Sequence, residues 1–253
     1  MILAADVGNT NTVFGVIRDQ EVVHTFRVTT APRTTDETGA LLLQLLAHRG
    51  VVANEIEGAI LSSVVPSGVF NLEKALRVYL ATEPMVVGRG VKTGIKVRTD
   101  NPREVGADRI VNAVAARARW GGSLVIVDFG TATTFDCVNA AGEYVGGAIA
   151  PGFRISEEAL YARTAQLPRI EVQRPPTAIG RNTVHAMQSG LFFGYLGLVD
   201  ALATRCRDEL DPEAKVVATG GLANLLGRGS AVISEVDPHL TLRGLALIYA
   251  KNR

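Results

Sequence analysis

The sequence predicts an α/β protein in which one half-fold is used twice. Three observations carry that expectation. An apolar strand running into Asp, any residue, Gly and small polar residues occurs at Asp6-Val-Gly-Asn-Thr10 and again, 122 residues later, at Asp128-Phe-Gly-Thr-Ala132. Each copy opens three short strand-like runs separated by turn residues. Each is then followed by segments of helical periodicity. A motif present in only two copies suggests two facing lobes rather than a solenoid. The lobes are placed at 1–117 and 118–253, hinged near 117–122, with a cleft between them of the kind that holds ligands.

The elements follow in order. Residues 2–7, 12–18 and 21–28 read as strands of a meander, broken by DVGNTNT and by Arg18-Asp19-Gln20. Thr34-Thr-Asp-Glu37 starts a helix, with acids in its first turn and Leu41, Leu42, Leu45 and Leu46 as its apolar stripe. Ala59 to Val64 is a buried-strand run. Pro66-Ser-Gly68 leads into a helix ending near Leu80, and Met85-Val-Val87 is a short strand. Asn101-Pro102 is a turn, and a helix starting near Glu104 and rich in Ala and Val runs through Arg117. In the second copy Leu124–Asp128, Phe135–Val138 and Tyr144–Ile149 are the three strands. Helices follow, one opening at Thr183 and running towards Leu202. A later strand ends at Thr219-Gly-Gly221, where another helix begins. The last helix runs from about Leu240 to Ala250.

Composition narrows the function classes. The chain of 253 residues is 47% hydrophobic and 20% charged, with a net charge of +1. Its arginines are scattered, and a protein built on nucleic-acid contacts would carry a basic stripe. Nucleic acid is therefore not expected as a ligand. Cys137 and Cys206 form no CxxC motif and the four His never pair at ligand spacing, so a structural zinc site lacks its ligands. The two Cys read as buried free thiols of a reducing compartment. Asp6 interrupts the apolar start and no apolar run reaches the ~18 residues of a membrane span. The reading is soluble and cytoplasmic, with no membrane association.

The chemistry lies in the two Asp-x-Gly turns. Gly8 and Gly130 let the backbone approach a ligand without a Cβ in the way, and successive N–H groups in such turns suit phosphate oxygens. Asn9, Thr10, Thr131 and Thr133 add neutral donors, and Asp6 and Asp128 can each hold a cation or its waters. There is no GxxxxGK[ST], so the loop is not a Walker A motif. Asp108, with Arg109 beside it, can accept the proton of an alcohol during phosphoryl transfer. These features alone support an ATP-dependent phosphotransferase acting on a small alcohol. They leave open a small sugar kinase, a phosphatase acting on a polyphosphate, and a non-catalytic regulatory relative.

The halves resemble the actin, sugar-kinase and heat-shock ATPase superfamily, whose lobes are duplicated ribonuclease H-like α/β folds. The closer resemblance is to type III pantothenate kinase. It is carried by Asp6-Val-Gly-Asn-Thr-Asn-Thr12, Asn101-Pro-Arg-Glu-Val-Gly-Ala-Asp-Arg109, Asp128-Phe-Gly-Thr-Ala-Thr-Thr134, Gly146-Gly-Ala-Ile-Ala-Pro-Gly152, Gly180-Arg-Asn-Thr183 and Thr219-Gly-Gly221. The set spans essentially the whole chain in the order the family shows.

The resemblance implies conversion of ATP and pantothenate to ADP and 4′-phosphopantothenate, the first step of coenzyme A biosynthesis. It assigns ATP to Asp6, Val7, Gly8, Asn9, Thr10, Asn11, Thr12 and Val13 with Thr131. It assigns pantothenate to Gly106, Ala107, Asp108, Arg109 and Thr183, with Asp108 as proton acceptor. Asp128 is implied to bind a monovalent cation, potassium or ammonium, and magnesium accompanies the nucleotide. A homodimer is implied, with the second subunit completing the pantothenate pocket. Where the family often has Tyr, two positions before Asn101, this chain has Thr99.

Overall fold

The computed structural model describes every residue except 89, 165 and 172. Two five-stranded arrangements with the same topology account for most of it. In the first, strands β1 (Ile2–Val7), β2 (Asn11–Arg18) and β3 (Glu21–Thr29) form an antiparallel meander. The chain then crosses through helix α1 (Thr35–His48) to β4 (Gly58–Ser63), parallel to β1. It crosses again through α2 (Pro66–Leu80) to β5 (Pro84–Val86), parallel to β4. The sheet order is β3-β2-β1-β4-β5. After the short strand β6 (Lys96–Val97) comes helix α3 (Ala107–Trp120).

The second sheet repeats the design. Strands β7 (Leu124–Phe129), β8 (Ala132–Val138) and β9 (Glu143–Pro151) are antiparallel neighbours. Helices α4 (Phe153–Ala162) and α5 (Thr183–Leu210) lead to β10 (Lys215–Gly220), parallel to β7. The four-residue helix α6 (Ala223–Leu226) precedes β11 (Glu235–Val236), and α7 (Leu240–Lys251) ends the chain. The order β11-β10-β7-β8-β9-β6 matches the first sheet, with β6 as an added edge strand.

Side-chain alternation along a strand assigns each sheet two different faces. On β1, Leu3, Ala5 and Val7 join a core made with Leu42 and Leu46 of α1 and Leu72 and Leu76 of α2. Ala4 and Ile60 point the other way, into a second core with Val111 of α3 and Leu242, Leu245 and Ile248 of α7. On β7, Val125, Val127 and Phe129 face the core containing Phe192, Tyr195 and Val199 of α5. Helix α1 begins where its sequence signals it: Thr34 accepts from Glu37 N, and the Glu37 carboxylate accepts from Thr34 N at 2.8 Å, a reciprocal capping box.

The chain divides into two compact units: 1–96, 100–119 and 239–253 in one, 97–99 and 120–238 in the other. The last fifteen residues, placed by the sequence reading in the lobe 118–253, thus belong with the first unit. The reason is packing: α7 buries Leu240, Leu242, Leu245, Ala246 and Ile248, and its apolar stripe covers the face of β1 and β4 that Ala4 and Ile60 present. Helix α3 starts at Ala107, after a 3-10 turn at Pro102–Glu104, so Glu104 lies outside it. Helix α5 is 28 residues long, well beyond Leu202, and is long and apolar enough to cross a membrane by length and composition. Its buried side is part of the second unit's core, including Phe192, Tyr195, Val199 and Ala203.

Candidate active site

The first Asp-x-Gly turn is tighter than its run of polar residues suggests. Strand β1 ends at Val7 and β2 begins at Asn11, with Val7 paired to Thr12. Only Gly8, Asn9 and Thr10 connect them. Gly8 N donates to Asn11 O at 3.1 Å, so that amide is consumed inside the turn. The exposed Asn9 and Thr10 form its tip. Asn11, Thr12 and Val13 are strand residues; Thr12 is buried, its hydroxyl 2.9 Å from that of Thr30. Thr30 braces the turn, donating its hydroxyl to Gly8 O at 2.8 Å and its N–H to Thr10 O at 2.9 Å.

Asp6 lies on the β1 face shared with Ala4, the side covered by α3 and α7. Its strand partner Ser62, fully buried on β4, donates a 2.7 Å hydrogen bond to the Asp6 carboxylate. Burial pushes the Asp6 carboxyl up to about 6; the Ser62 hydroxyl works against that, and the Asp108 charge adds to it. Asp108 stands in the first turn of α3. Burial raises its carboxyl above the ordinary range, opposed by a 2.8 Å hydrogen bond from Arg109 N and by the Arg109 charge. A Cβ built on Gly106 would lie 2.5 Å from the Asp108 carboxylate, so a bare glycine gives that carboxylate its room. The structure thus brings Asp6, Ser62, Gly106, Ala107, Asp108 and Arg109 together in one unit. Sequence reasoning missed Ser62 and Thr30. Ser62 is one of two serines that end an otherwise apolar strand; its place opposite Asp6 is set by the parallel register of β1 and β4.

In the second unit Asp128 occupies the place on β7 that Asp6 has on β1, and its strand neighbour on β10 is Thr219. Thr219 is 1% exposed and its hydroxyl has no hydrogen-bond partner. Gly220 has φ +95°, and a Cβ there would sit 2.4 Å from the Asp128 carboxylate and 2.7 Å from Phe129 N, so only glycine fits. Thr131 is the exposed last residue of the turn before β8. Thr133, expected among the neutral donors, is instead fully buried and hydrogen-bonded to the Tyr195 hydroxyl. Alternation turns it towards α5.

Thr183 opens α5 and is exposed, but the cap is Asn182, whose side chain accepts from His185 N at 2.8 Å. Thr99 belongs to the second unit; its hydroxyl is buried without a partner. Among the described residues no group of three or more His, Cys, Asp or Glu could hold a metal by itself.

The sequence model of the type III pantothenate kinases matches residues 2–205. The chain belongs to the type III pantothenate kinase family. Curated relatives of that description from Syntrophotalea carbinolica and Myxococcus xanthus are each 53% identical, over 100% of this chain and 100% and 99% of their own. The fold is also that of the ROK hexokinase from Thermus thermophilus, with a TM-score of 0.52 at 16% identity over 100% of this chain and 99% of the other. The fold is therefore the actin-like ATPase fold, and the protein is a kinase that phosphorylates pantothenate in coenzyme A biosynthesis, with ATP as donor.

Proposed function

We propose that Asp108 accepts the proton of the pantothenate hydroxyl as its oxygen attacks the γ-phosphorus of ATP and the bond to the ADP oxygen breaks. The observation that carries this reading is the pair of half-buried carboxylates, Asp6 and Asp108, in one unit, Asp6 at the end of the strand that leads into the Gly8–Thr10 turn. A carboxylate raised towards the working pH is a better general base, and Asp108 is so raised while Arg109 holds its geometry. Gly106, Ala107 and Arg109 take the substrate, the guanidinium suiting the pantothenate carboxylate. Thr183 is a further substrate contact. Residues Asp6 to Val13 take the nucleotide, mainly through the tip of the turn, and Thr131 contacts it as well.

Magnesium bound with ATP would neutralise phosphate charge; Asp6 suits it, because magnesium keeps several waters and takes few protein carboxylates. Asp128 fits a potassium or ammonium ion, since an orphaned buried hydroxyl, Thr219, stands beside it. A homodimer is also proposed. Exposed Ile149, Ile155 and Ile179, together with the open glycine positions Gly190, Gly194 and Gly197 on α5, suit a second copy.

Asp108→Asn tests the central assignment. Turnover should fall by about 10²–10⁴-fold while ATP binding, followed by calorimetry, persists; near-normal turnover would remove Asp108 from the role. Replacing potassium by sodium should collapse activity, and unchanged rates would free Asp128 of its cation.

A further inference from the structure

The second unit contains a pair of thiols for which pantothenate phosphorylation has no use. Cys137 lies on β8, on the face that carries Thr133 and Phe135, and is 7% exposed in the core against α5. Cys206 lies on α5 and packs, partly buried, against the same core. Two features set the alignment of strand and helix. Thr133 is hydrogen-bonded to Tyr195, and Cys137 and Cys206 pack against the same core. From Thr133 to Cys137 the strand advances about 14 Å. From Tyr195 to Cys206 the helix advances about 16 Å and completes about three whole turns. Both thiols therefore sit where strand and helix run side by side, Cys206 on the stripe of α5 that also holds Val199 and Ala203.

We propose that Cys137 and Cys206 form a reversible intramolecular disulfide when the protein meets a peroxide. Cys206, the more accessible thiol, is the attacking group and Cys137 the resolving one. The Cys206 thiolate attacks one peroxide oxygen, the O–O bond breaks, and Cys206 becomes a sulfenic acid with hydroxide as leaving group. The Cys137 thiol then attacks the Cys206 sulfur, losing its proton, and water departs. Two thiols are oxidised by two electrons and one hydrogen peroxide is reduced to two waters.

The electrostatics agree with these roles. The neighbouring Cys137 holds the Cys206 thiol below its ordinary range, and Cys206 together with burial holds Cys137 above it. Asp136 on β8 and Glu209 on α5 oppose thiolate formation at both sulfurs, but more weakly than the neighbouring thiol favours it at Cys206. Closing the disulfide would tie α5, which begins at Thr183, to the strand that follows Thr131.

The test uses the full-length protein, treated with hydrogen peroxide, quenched, then unfolded in the presence of a maleimide without reductant. Both thiols should become unreactive together. A digest should contain a Cys137–Cys206 cross-linked peptide that dithiothreitol separates. In Cys137→Ser, Cys206 should be trapped by dimedone as sulfenic acid. In Cys206→Ser, Cys137 should stay alkylatable. Oxidised Cys206 with Cys137 still free in the wild-type protein, or a disulfide between two chains, overturns the proposal. Equal oxidation of Cys137 in Cys206→Ser overturns the assignment of the attacking thiol. The wild-type experiment decides the main point even if a variant fails to fold.

Discussion

Asp6 is held at a cost to the fold that its place in the site explains. A carboxyl pushed up to about 6 by burial, from an ordinary 3.8, binds its proton more tightly in the folded than in the unfolded chain. Between about pH 4 and pH 6 the native state therefore holds more protons, and this group's contribution to stability falls as pH rises through that window. Above pH 6 the penalty is complete, with an upper bound of about 3 kcal/mol. Asp6→Asn keeps an acceptor for Ser62 but removes the charge. It should melt several degrees higher than the wild type at pH 7, show little difference at pH 4, and lose most kinase activity. Thermal melts of the two proteins across that pH range are the check. A variant no more stable at pH 7 would show that the site does not penalise the Asp6 charge. A site that weakens the fold in order to hold a half-buried charge is the usual trade between stability and function.

At the scale of elements, close approach of backbone to helix decides what can be changed. Gly58, at the start of β4, is buried; a Cβ there would lie 1.8 Å from the Tyr249 hydroxyl and 2.6 Å from its ring carbon on α7. Gly58→Ala should force the ring or the helix away and cost about 1–3 kcal/mol, measurable as a lower denaturation midpoint with an unchanged slope. A midpoint equal to the wild type would show that Tyr249 swings aside freely. The same contact shows what the sequence could and could not reveal. The strands of both meanders were legible because each alternates or runs apolar between turn residues, and the acids after Thr34 marked the start of α1. The two Asp-x-Gly turns were legible because they recur. The partner of α7 was not, since an apolar helical stripe says that a face is covered without naming the sheet beneath it. Two-residue strands such as β6 and β11 carry no periodicity to read. Thr133 was misread because a hydroxyl next to a phosphate turn looks like a ligand donor, and only the strand's alternation shows that it faces Tyr195.

At the scale of the whole chain, helix α7 makes the first unit depend on residues far from it in sequence. Leu240, Leu242, Leu245 and Ile248 of α7 are 0–2% exposed, and the last three pack in one core with Ala4, Ile60 and Val111, each 0% exposed. Four buried aliphatic side chains contribute on the order of 6–12 kcal/mol, which is the size of a whole domain's stability. The face they cover is also the one from which Asp6 and Ser62 project, so the site's floor and the helix share one layer. Deleting 239–253 should therefore unfold the first unit, with early proteolytic cuts concentrated in 1–96 and 100–119 and kinase activity lost. Leu245→Ala, a milder form of the same lesion, should cost about 2–5 kcal/mol and lower the melting temperature while leaving KM for ATP near that of the wild type at temperatures well below the melt. A truncated chain that melts within a few degrees of the full-length protein would show that α1 and α2, on the opposite face, suffice to hold the first sheet. The single-residue variant separates that outcome from simple misfolding, because it keeps the helix and removes only one side chain's worth of contact.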